Sequence, residues 1–151
     1  MRSKLFFIDM DIAFKVMKIS MYEELVNLWK NNEGIRLSVG DTKYELDKYL
    51  KRNSGMSYVC FDINQNKIAG SILCGHDGRR GYIYHLAVSK KHRKNNIAKS
   101  LIGRSLSKLK KSGIRRCILM VDDVNISAKN FWINAGWSRR TDLEMFSLDL
   151  F

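Results

Sequence analysis

At 151 residues, 45% hydrophobic and 11% aromatic, the chain can bury a sizeable core, which excludes intrinsic disorder. No apolar run is long enough to cross a bilayer, and three scattered cysteines without a CxxC pair exclude a disulfide framework and a zinc site. Lys and Arg number 27 against 15 acidic residues, a formal charge of +12. That excess favours a polyanionic partner (nucleic acid, an acidic surface or a phosphorylated ligand) without choosing among them.

Cys60, Cys74 and Cys117 sit in apolar stretches and read as reduced core thiols of a cytoplasmic protein. There is no proline, repeat or low-complexity tract, so residues 1–151 read as one domain. The opening stretch faintly resembles a signal peptide, but Asp9 and Asp11 interrupt its apolar part. Residues 1–12 are therefore expected to be a loose N-terminal extension or an edge strand.

In chain order, a first strand is expected over residues 14–19. Ser20 then caps a helix, with Glu23 completing a capping box and Met21, Leu25, Leu28 and Trp29 on its buried face. Asp41 or Thr42 caps a second helix whose apolar side is Tyr44, Leu46, Tyr49 and Leu50. Residues 57–63 and 67–74 form a hairpin around Asn64-Gln65-Asn66. A glycine-rich loop over residues 75–81 leads into a strand at 82–88. A helix over 96–111, with Ile97, Leu101, Leu106 and Leu109 on its buried stripe, ends at Ser112-Gly113. A strand at 117–121, a helix at 126–134 and a last strand at 143–150 complete the order. The fold class is α/β: a mostly antiparallel mixed sheet of six to seven strands with helices on both faces, a right-handed crossover around the 96–111 helix, and a ligand cleft where the pairing changes. An exposed last strand can pair across a homodimer.

The informative stretch is the strand end and basic turn from Leu86 to Leu101, where a helix begins at once. Unpaired N–H groups at a helix start, after a tight turn, make a pocket for phosphate or pyrophosphate. Asn tolerates the left-handed dihedrals such a turn needs, and Lys91, Arg93 and Lys94 surround it with cations. From the residues alone, an ordinary basic turn is equally compatible.

Arg93-Lys94-Asn95-Asn96-Ile97-Ala98 resembles the acyl-CoA-binding motif of the GNAT superfamily of N-acetyltransferases, Gln/Arg-x-x-Gly-x-Gly/Ala, with Asn96 standing where Gly is usual. Downstream, the segment from Asn125 to Trp137 is similar to the family's Asn-x-x-Ala-x-x-Phe-Tyr-x-x-x-Gly-Phe pattern. The resemblance implies a GNAT-like acyl-CoA N-acyltransferase fold and an enzyme that moves an acetyl group from acetyl-CoA to a primary amine, with no metal. It implies that Leu86, Ala87, Val88, Arg93, Lys94, Asn95, Asn96, Ile97, Ala98 and Lys99 line the cofactor. Asn125, Ala128 and Phe131 would lie along its pantetheine arm.

It further implies that the 82–88 strand splays from the 117–121 strand. Leu86 and Val88 would then pair with pantetheine amides, and the Val88 N–H would stabilise the developing oxyanion. Direct attack in a ternary complex agrees with the lack of an evident activated Cys or Ser. Trp132 and Met120 stand where related enzymes place a Tyr acid and a Glu base. Tyr84 and His85 are the remaining titratable candidates, His85 the better base, and strand alternation would let only one of them reach the site. Asp77, Arg79, Arg80, Tyr82 and, between the first two helices, Arg36 are candidates for acceptor binding; a small-molecule amine and a protein amino group fit equally. Two other readings remain: a basic nucleic-acid-binding domain and a CoA-binding sensor without catalysis.

Overall fold

The computed structural model describes residues 10–151. Two compact units are distinguished, one ending at Met120 and one covering Val121–Phe151.

The first unit holds the sheet. Strands β1 (Ile12–Val16), β2 (Tyr58–Asp62), β3 (Lys67–His76), β4 (Gly81–Val88) and β5 (Cys117–Leu119) lie side by side in chain order. All neighbours are antiparallel except β4 and β5, which run parallel. Helices α1 (Tyr22–Lys30), α2 (Lys43–Arg52) and α3 (Ile97–Lys111) belong to the same unit. β3 is buried on both faces over eight consecutive residues, as the unbroken run of small and apolar side chains from Ile68 requires. On one face Leu25, Leu28 and Trp29 of α1 and Leu46 of α2 pack with Met17, Val59, Leu73 and Ala87. On the other lies α3, and its approach depends on two glycines. A Cβ at Gly70 would meet Ile97 at 3.1 Å and Leu101 at 3.3 Å, and one at Gly81 would meet Leu109 at 2.6 Å.

Several element boundaries depart from expectation for identifiable reasons. The first strand begins and ends earlier, at Ile12 and Val16, because its partner β2 offers register only from Asp62 to Tyr58. Residues 1–9, most of the expected extension, lie outside the described residues. Ser20 does not cap α1. It falls inside a 3-10 turn, Ile19–Met21, and Met21 precedes α1 with no side-chain cap. Glu24 of the first helical turn instead accepts the Ile68 N–H at 3.1 Å. Of the two possible caps for α2, Thr42 serves, accepting the Glu45 N–H. Asp41 closes a capping box with Ser38 one turn earlier. Tyr44 is 71% exposed with Lys48 over its ring, so it is not part of α2's buried side.

The sheet has five strands among the described residues, rather than six to seven. β5 ends at Leu119, and residues 143–150 form no ladder. Met145 beside Phe146 breaks the period of two, so the segment presents no single apolar face. The second unit is built on α4 (Ile126–Asn134), which Asn125 opens by accepting the Ala128 N–H at 3.0 Å. Trp132 stacks edge-on to Phe131 at 5.2 Å and to Trp137 at 5.0 Å.

Candidate functional site

β4 carries the site, and an irregularity in it decides which side chains meet. Ser71 pairs with Ala87 and Leu73 with Tyr84, so β4 inserts one extra residue between them. His85 takes up the bulge in a left-handed conformation, φ 47°, which non-glycine residues seldom adopt without being held there. Three contacts hold it. Its ring packs on Trp29 with centroids 4.8 Å apart, its Nε2 lies 2.6 Å from Asp41 Oδ1, and its carbonyl accepts the Ser71 hydroxyl at 3.2 Å. Ser71 in turn accepts the Trp29 indole N–H at 2.9 Å, which ties α1 to the bulge.

The bulge also turns Tyr84 and His85 toward the same helix layer, where a regular strand would send them to opposite faces. Alternation is broken between them, so His85 reaches α1 and Asp41 while Tyr84 packs against Tyr49 of α2, centroids 6.4 Å apart. Tyr82 stacks nearly parallel on Tyr84 at 6.3 Å. Burial and the neighbouring Tyr82 raise the Tyr84 pKa, so this phenol keeps its proton at neutral pH. Burial pushes the Tyr49 phenol up as well, and its hydroxyl has no hydrogen-bond partner among the described residues.

Burial alone would push the Asp41 carboxyl up. The hydrogen bonds from His85 and from the Ser38 N–H outweigh it and hold the carboxyl below the usual range. A carboxylate on Nε2 fixes the imidazole tautomer and leaves Nδ1 as the basic nitrogen. Asp41 is the residue that sequence reasoning missed in this role: it lies 44 positions from His85, and its proximity comes only from the path of the connection after α1.

β4 and β5 pair only from Gly81–Cys117 to Ile83–Leu119. Beyond Ile83 the edge of β4 facing β5, which includes Leu86, Ala87 and Val88, makes no further ladder among the described residues. The parallel pairing stops there because β5 itself ends at Leu119. After β4 the chain makes a 3-10 turn, Lys90–His92, and then two left-handed residues, Lys94 at φ 64° and Asn96 at φ 59°, before α3. Asn96 adopts the dihedrals for which the family motif uses Gly. The first intrahelical bond of α3 runs from Ser100 N to Asn96 O, so the N–H groups of Ile97, Ala98 and Lys99 precede it and point out of the helix start. Asn95 braces the turn through its amide, donating to the carbonyls of His92 and Arg93. The Arg93 guanidinium donates to Val88 O at 3.3 Å and to Asn32 Oδ1 at 3.4 Å. These groups, with the lysines beside them, fit an anion as a group of converging N–H donors and positive charge.

The acceptor candidates are less concentrated. Asp77 forms the tip of the β3–β4 hairpin, where Oδ1 accepts the N–H groups of Arg79 and Arg80, each at 2.8 Å. Those bonds hold its carboxyl below the usual range and account for an Asp before Gly78 as a turn residue. Arg36 lies exposed in the connection after α1. Tyr82 adjoins the Tyr84–Tyr49 cluster. In the second unit, Asn125 caps α4, and Ala128 and Phe131 lie within it.

The thiols are not activated. Burial pushes Cys60 and Cys117 to about 11 and Cys74 to about 12, so all three are protonated at neutral pH. Ser89 Oγ lies 2.5 Å from His92 Nδ1, apart from the hydrogen bonds that hold the His85 bulge.

A mixed sheet with a short parallel ladder beside a bulge, followed by a left-handed turn into a helix, is the arrangement that the resemblance to the acetyltransferases implies. Residues 21–137 match the model of the acetyltransferase (GNAT) family, and the chain belongs to that family. It is 28% identical over 114 residues to an acetyltransferase of Photorhabdus laumondii, covering 76% of this chain and 78% of the relative. A GNAT-family acetyltransferase of Staphylococcus aureus superposes with TM-score 0.74 at 22% identity, covering 93% of this chain and 94% of the other. A chain of the NatC complex bound to Gag peptide and CoA superposes with TM-score 0.72 at 24% identity, covering 87% of each. The protein is thus an acetyltransferase, and the nucleic-acid reading has no support from its relatives.

Proposed function

We propose that the protein transfers an acetyl group from acetyl-CoA to a primary amine by direct attack in a ternary complex, with His85 as general base. The observation that carries this reading is the His85–Asp41 pair on the β4 bulge, beside the strand edge that β5 leaves unpaired.

The amine must lose a proton to attack the thioester carbon. His85 Nδ1 can take it while Asp41 stabilises the imidazolium that forms. As the tetrahedral intermediate collapses, the C–S bond breaks and CoA leaves as thiolate. The Val88 N–H serves as donor to the oxyanion, and backbone groups of Leu86 and Val88 align the pantetheine as a short added strand. The turn 93–99 receives the pyrophosphate, with Asn125, Ala128 and Phe131 assigned to the pantetheine arm by the family pattern. CoA in the NatC relative supports this choice of donor. Protonated thiols argue against a cysteine-bound acetyl intermediate. The stacked Tyr82 and Tyr84 suit a cationic amine, since aromatic faces attract ammonium groups. Asp77, Arg79, Arg80 and Arg36 are assigned to the outer acceptor site, and three unpaired cysteines suit a cytoplasmic enzyme.

Acetyl-CoA at a hundred times its Kd should add about 2.7 kcal/mol to stability in thermal unfolding. Thiol release against a panel of amines and peptides then identifies the class of acceptor. Absence of both responses at millimolar acetyl-CoA overturns the proposal.

A further inference from the structure

The group formed by Asp62, His92 and Ser89 has no part in the chemistry above, yet it is among the most buried polar clusters of the first unit. His92 is 5% exposed and Asp62 4%. His92 Nε2 lies 2.6 Å from Asp62 Oδ2, and Ser89 Oγ lies 2.5 Å from His92 Nδ1. The other Asp62 oxygen accepts the Gln65 N–H at 3.0 Å and so closes the β2–β3 turn. Ser89 is anchored in turn, its N–H donating to Ala69 O at 2.8 Å. One imidazole therefore ties the β2–β3 turn to the end of β4. A buried carboxylate left without its partner is strongly unfavourable, so the ring is held firmly between them.

The segment beginning at His92 gives this tie a purpose. The His92 carbonyl accepts the Asn95 amide at 3.1 Å, and the left-handed residues Lys94 and Asn96 lie within the next four positions. Where His92 sits fixes where the turn begins, and hence where the N–H groups of Ile97, Ala98 and Lys99 converge.

We propose that His92, clamped between Asp62 and Ser89, is a positioning residue that sets the anion-binding turn 93–98 for the phosphates of the acyl donor. This rests on the acetyl-CoA reading above. It separates phosphate binding from chemistry, because the clamp acts on the turn and not on the bulge. A serine beside a histidine and an aspartate also resembles a nucleophile group, and the experiment distinguishes that role.

Two acetyl donors are compared: acetyl-CoA, and S-acetyl-pantetheine, which lacks the pyrophosphate and nucleotide. In His92→Ala and Asp62→Asn, KM for acetyl-CoA and Kd for CoA should rise about tenfold, the equivalent of one lost hydrogen bond of about 1.4 kcal/mol. Turnover of S-acetyl-pantetheine should match wild type. His92→Gln, which keeps a donor for Asp62, should recover part of the loss. Ser89→Ala removes only a hydroxyl and carries the same test if the other variants fail to fold; its KM for acetyl-CoA should rise by a smaller factor. Unchanged KM for acetyl-CoA in the folded variants, or equal losses with both donors, overturns the proposal. So does a Ser89→Ala enzyme inactive with S-acetyl-pantetheine, which would give Ser89 a covalent role. If wild type itself binds no CoA, the acetyl-CoA reading fails first; if wild type binds and the variants bind equally, only the positioning role fails.

Discussion

His85 shows how much of this site depends on a single set of dihedrals. A regular strand would send Tyr84 and His85 to opposite faces, and sequence alone supports that expectation. The left-handed bulge brings His85 to Asp41 and Trp29 without removing Tyr84 from Tyr49. No residue-level pattern announces it, because His is not a usual bulge residue and its support comes from Trp29, Asp41 and Ser71, each distant in sequence. Intrinsic pKa made His85 a candidate base in the sequence; its carboxylate partner, Asp41, was not legible there. If it is the base, His85→Gln should lower kcat by about a hundredfold or more while KM for acetyl-CoA stays near wild type, measured by thiol release. Asp41→Asn should lower kcat in the same direction by a smaller factor, because a misoriented imidazole still has its nitrogen. Tyr49 offers a prediction of stability. Its hydroxyl is buried without a partner, so Tyr49→Phe should be neutral or stabilising by about 1 kcal/mol in urea unfolding.

At the scale of elements, the segments with strong periodicity were legible. The helix expected at 96–111 appears at Ile97–Lys111, and that at 126–134 appears unchanged. Boundaries failed where a tertiary partner sets the limit, as at β1 and at Ser20. The strand expected at 143–150 forms no ladder among the described residues, and Met145 beside Phe146 breaks the period of two that a half-buried strand needs. The turn into α3 was read from Asn96's tolerance of left-handed geometry, which its φ of 59° bears out; the second such residue, Lys94, was not anticipated. Because α3 starts on that turn, Asn96→Val should lose about 1–2 kcal/mol of stability and weaken CoA binding, read by denaturation and calorimetry on the same samples. The far side of the same helix packs on β3 through Gly70. There a methyl would face Ala87 O and Ile97 at 3.1 Å, so Gly70→Ala should destabilise by about 1–3 kcal/mol, visible as a lower urea midpoint.

For the whole molecule, the formal charge of +12 was the most conspicuous feature of the sequence and the least informative about function. Its consequence is physical: each carboxylate that takes up a proton adds to an already large positive charge, and self-repulsion grows. Among the described residues, five aspartates have lowered pKa values. The His92 hydrogen bond holds Asp62 down, the His85 bond overcomes burial at Asp41, the Arg80 and Arg79 N–H groups act on Asp77, the Lys129 ammonium acts on Asp123, and Arg140 takes Asp142 to about 2. A carboxyl that is more acidic folded than unfolded stabilises the fold above its unfolded pKa, about 3.9 for Asp, and that stabilisation is lost as pH falls through the folded value. The urea midpoint should therefore hold steady down to about pH 4 and drop steeply below it. Exposed pairs such as Arg140 with Asp142 are screened by solvent and contribute little, so the drop should come mainly from the two shielded imidazole–carboxylate pairs, His85–Asp41 and His92–Asp62. The discriminating measurement is the slope between about pH 4 and about pH 2.5: Asp62→Asn should be less stable than wild type at neutral pH yet lose less on acidification, so that the two curves converge at the acid end.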